Sequence, residues 1–165
     1  MAFPKEAAPD LLRILKWREI PDAPKTVLRF LAQSGQPEVF PFLAQIAYGE
    51  DWPQRGDTIE AIRLMGEIDF ARAKKHIEHF LTAPLDSPSD RINSRRESQR
   101  IGAAIALADH GDKRGVPIIF GAERFTSLDD KTVGAALAVA TGKEFPYLGQ
   151  WQRWWQREGQ NLEWK

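Results

Sequence analysis

The spacing of apolar residues is the feature that most restricts the fold of this chain. Leu, Ile, Val, Phe and Ala recur every three or four residues along almost the whole sequence, and alternating runs rich in Val, Ile and Thr are missing. The first pattern is typical of an α-helix with one buried face, and the second would indicate a half-buried strand. The sequence therefore predicts an all-α fold with strand content near zero.

Short segments that contain Gly, Pro or Asp divide this pattern into helices. Together these breaks predict helices at 10–19, 24–34, 37–48, 57–67, 70–82, 94–109, 115–123, 128–140 and 147–158. Three of the starts rest on capping-box patterns, namely Asp57 with Glu60, Ser94 with Glu97, and Ser127 with Asp130. Because the connections are short, consecutive helices are expected to lie antiparallel.

Composition restricts the class of protein further. The 165 residues suffice for one domain, taken as residues 1–165, and are too few for two ordinary ones. Lys plus Arg and Asp plus Glu number 23 each, so a general affinity for polyanions is not expected. The chain has no cysteine and no apolar run long enough for a membrane span or a secretory leader. These features predict a cytoplasmic protein without disulfides or thiolate metal sites.

Two segments of the chain, 31–43 and 107–119, resemble each other. In both, a Gly is followed six residues later by a Pro, which gives the pairs Gly35 with Pro41 and Gly111 with Pro117. The Gly permits a left-handed turn between two helices, and Pro is tolerated near the start of the second helix because it lacks an amide hydrogen. The pattern therefore predicts a repeated helical hairpin.

These segments resemble HEAT repeats, and more closely the short HEAT-like repeats of bacterial proteins and of the phycobilisome lyase group. With two looser copies at 61–69 and 136–143, the resemblance covers roughly residues 26–158 in four units. It implies a short α-solenoid of about four stacked HEAT-like helical hairpins, preceded by an N-terminal helix. The second unit departs from the pattern at Ile68, where the turn Gly would stand, and an extra segment, 83–93, precedes the third.

A basic stripe is expected on the helix at 70–82. The apolar residues of this helix share one face and are Phe70, Ala73, Ile77, Phe80 and Leu81. Arg72, Lys75, His76 and His79 project elsewhere at i, i+3, i+4 and i+7. The resemblance implies that second helices line the concave surface on which such proteins bind partners. An ordinary solvated helix face explains the same pattern.

A second set of candidate partner-binding residues follows the turn-rich segment 83–93. Arg95 and Arg96 belong to the most basic window of the chain, and Arg114 lies one helix further along the sequence. If functional, these guanidinium groups would prefer carboxylates, phosphates or an acidic protein face. A surface linker with solubilising charge is the alternative.

The three histidines do not form a recognisable metal or catalytic site. His76 and His79 are close enough in sequence to reach one metal ion, but no third ligand is evident. His110 falls in a turn between helices, where a hydrogen-bonding or capping role is expected. The sequence therefore predicts no metal, no cofactor and no catalytic residue.

Four of the six tryptophans lie in the last fifteen residues. Trp151, Trp154 and Trp155 share one helical face with Tyr147 and Leu148, which predicts an aromatic C-terminal cap packed against the preceding helix. An aromatic binding patch is the alternative.

A non-enzymatic protein-interaction or scaffold module is the favoured function, because stacked repeats provide an extended surface and no catalytic grouping is present. The expected partner is a protein with an acidic surface. Two alternatives remain open. One is nucleic-acid binding, since some HEAT-like DNA-repair glycosylases use a basic concave surface, although net neutrality argues against it. The other is a bilin lyase of the phycobilisome type, by analogy of the repeats alone.

Overall fold

The computed structural model describes residues 7–16, 25–49, 55–122, 125 and 128–164, and most of these are helical. In chain order the helices are α1 (Ala8–Lys16), α2 (Lys25–Ser34), α3 (Val39–Tyr48), α4 (Arg55–Ile68), α5 (Phe70–Thr82), α6 (Asp90–Asp109), α7 (Gly115–Phe120), α8 (Asp130–Thr141), α9 (Leu148–Arg157) and a 3-10 helix, Gly159–Asn161. No strand occurs in the described ranges, which confirms the all-α prediction. None of these helices has the length and apolar character that crossing a bilayer requires.

The three predicted helix starts that rest on capping-box patterns are wrong. Helix α4 begins at Arg55, so Asp57 lies inside the helix and not at its N-cap. Helix α6 begins at Asp90, and Ser94 and Glu97 lie within it. In α4 the capping-box pattern misleads because an acidic side chain such as Asp57 is also favourable inside the first turn of a helix. The third start is wrong as well, because α8 begins at Asp130 and Asp129 caps it by accepting the Thr132 amide at 3.1 Å. Ser127 itself and positions 17–19 lie outside the described residues.

The segment 83–93 is correspondingly shorter than predicted, because its last four residues are helical. Asn93 explains the difference. Its side chain accepts a hydrogen bond from the Ser87 amide at 3.0 Å and donates one to the Ser87 carbonyl at 2.8 Å. The linker is thus reduced to residues 83–89 and tied back to the first turn of α6.

Three inter-helix turns use a left-handed glycine, as predicted. Gly35, Gly111 and Gly142 have φ angles of 74°, 76° and 69°. A Cβ at any of the three would contact nothing within 4 Å, so the backbone conformation and not crowding favours glycine. The α4–α5 turn has no such glycine. There a single residue, Asp69, separates the helices and caps α5 by accepting the Arg72 amide at 2.9 Å.

Helices α4 and α6 lie at the centre of the molecule. Helix α4 packs against α2, α3, α5 and α6, while α6 packs against α4, α5, α7 and α8. The alternate helices α2, α4, α6 and α8 therefore contact one another in series. Every residue from 101 to 108 is buried, because α6 separates a first apolar core, built mainly on α1 to α5, from a second core built on α7 to α9.

The two ends of this series also meet. The Arg29 guanidinium on α2 donates to the Glu60 carboxylate on α4 at 2.6 Å and to the Thr132 hydroxyl on α8 at 3.4 Å. In an extended stack of four hairpins, α4 and α6 would hold α2 and α8 apart. The row of alternate helices therefore curves until its first and last members touch.

The C-terminal tryptophans close the second core. Trp151 and Trp154 are 0% and 6% exposed, and they belong to the same cluster as Val133, Leu137 and Ala140 of α8. The predicted burial of these indoles is therefore confirmed.

Two other aromatic residues near the C-terminus, Trp155 and Tyr147, differ in burial. Trp155 is partly buried and stacks on Phe120 with ring centroids 4.5 Å apart. Tyr147, predicted to share the apolar face, is 64% exposed because it precedes α9 in an extended conformation.

Candidate partner-binding surface

Helix α5 has the two faces that the sequence predicts. Its buried residues in the first core are Ala73, Ile77 and Phe80. Arg72, Lys75 and His79 are exposed, whereas His76 is partly buried. Three members of the predicted stripe are therefore accessible, and the fourth lies at the boundary with the neighbouring helix.

That neighbour is α3, which adds aromatic side chains to the stripe. The Tyr48 hydroxyl lies 2.9 Å from His76 Nδ1, and the Tyr48 ring contacts the rings of His76 and His79 with centroids 5.6 and 5.8 Å away. At the other end of α3, the Arg72 guanidinium lies over the Phe40 ring, 4.1 Å from its centroid. Phe40, near the start of α3, contacts Arg72 near the start of α5, and Tyr48, at the end of α3, contacts His79 further along α5. The two helices are therefore parallel neighbours.

We call this region the α3–α5 surface and define it by Tyr48, Arg72, Lys75, His76 and His79. Within the described part of the chain, neither Arg72 nor Lys75 forms an ion pair with a carboxylate. The surface is therefore locally positive, although the whole chain is neutral.

His76 contributes little to that charge at neutral pH. Burial lowers the pKa of His76, and the nearby charges of Lys75, Arg72 and His79 lower it further. Burial also raises the pKa of the Tyr48 hydroxyl. A neutral imidazole beside a protonated phenol can share the 2.9 Å hydrogen bond in either direction. The permanent positive charge comes from Arg72 and Lys75.

The other predicted cations lie elsewhere. Arg114 donates to Asp112 at 2.7 Å and to Glu78 at 3.0 Å, which raises the pKa of Arg114 and joins the turn before α7 to α5. Arg96 donates to the Pro84 carbonyl at 2.6 Å and so holds the 83–89 linker. Arg95 is partly buried on α6. The predicted set is thus divided, and only its α5 members form the α3–α5 surface.

Of the histidines, His110 has a structural role, as predicted. Its ring stacks on Phe70 with centroids 4.0 Å apart, and its Nδ1 lies 3.0 Å from the Ala106 carbonyl. Among the described residues, no group of three or more side chains of the His, Asp and Glu types lies close enough together to hold a metal ion.

Sequence reasoning missed Tyr48 and Phe40 as parts of the surface. Both belong to α3, whose apolar residues dominate so strongly that no polar stripe stands out. The available signal was the predicted repeat, because a stack of such hairpins would make their second helices neighbours. Applying that rule to the two helices would have brought the aromatic residues of α3 beside the stripe of α5.

Comparison of this chain with protein-family models, with curated proteins and with solved structures finds no match.

Proposed function

We propose that this chain is a protein-interaction module with HEAT-like hairpins, and that it binds an acidic segment of a partner protein on the α3–α5 surface. The observation that carries the proposal is the pair of exposed cations, Arg72 and Lys75, next to the exposed ring of Tyr48. Neither cation has a carboxylate partner in the described part of the chain.

The packing supports the hairpin part of the proposal. Each of α2, α4 and α6 packs against the next alternate helix, and three of the four hairpin turns carry a left-handed glycine. The parallel course of α3 and α5 is what two consecutive second helices would have. The contact between Arg29 and Thr132 makes the proposed array short and strongly curved.

The chemistry of the surface favours a carboxylate-bearing protein segment. The Arg72 guanidinium lies over the Phe40 ring, a contact that uses no hydrogen bond, so its N–H groups remain available to carboxylate oxygens. Lys75 adds a compact charge one turn away, and Tyr48 offers an apolar ring with a hydroxyl group, a combination common at interfaces. Acidic residues interspersed with aromatic ones would complement this surface.

A fluorescence-anisotropy titration tests the proposal with a labelled peptide of alternating Glu and Tyr. The wild-type chain is expected to bind it, and the double variant Arg72→Ala with Lys75→Ala is expected to bind at least about tenfold more weakly, because two charge-assisted contacts are lost. The matched control is Lys131→Ala with Arg153→Ala, which removes the same charge from exposed positions on α8 and α9.

Equal losses in the two double variants, or no loss in either, would contradict the proposal, because binding would then depend on net charge or on another surface. A single-stranded oligothymidylate serves as the competing probe. If it binds more tightly than the peptide and its affinity falls steeply with salt, the nucleic-acid alternative replaces this proposal. The bilin-lyase alternative remains a prediction from the repeat resemblance.

A further inference from the structure

A cleft of about 850 Å³ lies between the 83–89 linker, the N-terminal half of α6 and α7. It follows from the unequal lengths of the helices in one hairpin. Helix α6 has 20 residues and α7 has six, so they extend about 30 Å and about 9 Å at 1.5 Å per residue. One face of the first turns of α6 therefore extends past its partner and forms a wall of the cleft.

The walls of the cleft differ in character. The α7 side and the linker are apolar, with Leu85, Pro117 and Ile118, and Ile101 continues this surface onto α6. The rest of the α6 side is mainly polar. Its chemically distinct groups are Asp90, Asn93, Ser94, Glu97 and Arg100, which follow one another along the helix.

These polar side chains differ in whether they already have hydrogen-bond partners. Asn93 is engaged with Ser87 through both of its amide atoms. In the part of the chain that the structure describes, the side chains of Asp90, Glu97 and Arg100 form no hydrogen bond or ion pair. The Nε atom of Arg100 is buried without a partner, and the residue as a whole is partly buried. A partly buried guanidinium without an acceptor is costly, so an anion that binds its terminal nitrogens in the cleft would offset part of that cost.

We propose that this cleft binds the carboxy-terminus of an apolar peptide. The terminal carboxylate would accept hydrogen bonds from the terminal nitrogens of Arg100, and backbone N–H groups of the peptide would donate to Glu97 and Asp90. Apolar side chains would pack on Pro117 and Ile118. This second site lies apart from the α3–α5 surface and goes beyond the proposed function.

A peptide fits the donor and acceptor pattern better than a simple fatty acid does. Two carboxylates, Asp90 and Glu97, lie on the same wall as the single cation, so a ligand needs N–H donors as well as its own carboxylate. Asp90 and Arg100 are about 15 Å apart along the helix axis, which is the length of about four or five extended residues.

Isothermal titration calorimetry with the full chain tests the proposal. The probe is acetyl-Ala-Leu-Leu with a free carboxylate, and its controls are the same peptide as a C-terminal amide and octanoate. We expect the free acid to bind at least about tenfold more tightly than either control. This comparison uses only the wild-type chain, so it does not depend on whether a variant folds.

Two variants locate the binding. Arg100→Gln is expected to reduce the affinity for the free acid to that for the amide, while Arg95→Gln on the same helix should leave it unchanged. The proposal is overturned if neither peptide binds, if the amide binds as well as the acid, or if octanoate binds as tightly as the peptide. It is also overturned if Arg95→Gln weakens binding as much as Arg100→Gln does.

Discussion

The two apolar cores differ in whether their buried polar side-chain atoms have hydrogen-bond partners. In the first core, the carboxylate of Glu60 is almost fully buried and accepts hydrogen bonds from Arg29 at 2.6 Å and from Arg63 at 3.1 and 3.2 Å. In the second core, the indole nitrogens of Trp151 and Trp154 are buried without a hydrogen-bond partner among the described residues. Polar bonds therefore help to specify the first core, whereas aromatic area dominates the second.

The free-energy costs explain why an unpartnered polar atom is acceptable in the second core but would not be in the first. A buried polar group without a partner costs about 1–3 kcal/mol, and removing a whole buried Trp side chain costs about 3–5 kcal/mol. A tryptophan can therefore stabilise a core even when its N–H makes no hydrogen bond. A buried carboxylate brings little apolar area in return, so it stabilises the fold only when its partners are present.

The largest expected effect belongs to the second core. Trp151→Ala should lower the free energy of unfolding by about 3–5 kcal/mol, since the side chain is fully buried. Trp151→Phe should cost clearly less, because the ring area is largely kept and the unpartnered N–H is removed. Urea denaturation monitored by circular dichroism measures both. Equal costs for Phe and Ala would mean that the indole N–H has a partner, and the contrast between the cores would disappear.

The next effect belongs to the first core. Glu60→Gln should cost about 3 kcal/mol, because it removes the charge that Arg29 and Arg63 share. Glu67→Gln is the matched control, since Glu67 also pairs with Arg63 at 3.0 Å but is about half exposed. An exposed pair contributes about 0–1 kcal/mol, so the control should lose little. Similar losses in both variants would show that burial of Glu60 does not matter.

The same variant gives a pH test. Burial acts to raise the pKa of Glu60, but hydrogen bonds and charges from Arg63 and Arg29 outweigh it and lower the pKa. The contribution of Glu60 is then complete above the ordinary glutamate pKa of about 4.3 and is lost as pH falls through the lower folded value. The stability difference between the parent and Glu60→Gln should therefore shrink only below about pH 4.3. A difference that already shrinks above that pH would mean that burial prevails.

The smallest effects are expected on the exposed face of α5. Lys75→Ala and His79→Ala should each change the free energy of unfolding by under about 0.5 kcal/mol, because both side chains are exposed. Arg72→Ala should cost slightly more, about 0.5–1 kcal/mol, because the guanidinium covers Phe40. Thermal denaturation of the three single variants checks this order. A large loss at Lys75 would show that the stripe is part of the packing.

The helices, the two faces of α5 and the burial of the tryptophans could be predicted, because each depends on the spacing of residues near in sequence. The left-handed turn glycines follow from the same local chemistry. The network around Glu60 could not be predicted, since it joins helices that are distant in sequence, and the capping-box pattern gave Glu60 a different role.

The surfaces were predictable only in part. Arg72, Lys75 and His79 follow from helical spacing, but Tyr48 joins them only because α3 and α5 are neighbours in space. Arg114 looked equally available in the sequence, and its partner Glu78 lies 36 residues away. The cleft depends on the length of α6, which the predicted start at Ser94 made too short.

Helix α6 also determines how the molecule should unfold. Its residues from 101 to 108 belong alternately to the two cores, with Ala103, Ala106 and Leu107 in the first and Ile101, Ala104, Ile105 and Ala108 in the second. Neither core can open without uncovering part of this stretch, which would remove a wall of the other. The two halves are therefore one cooperative unit, and the amide hydrogens of this stretch should exchange with solvent only when the whole chain unfolds.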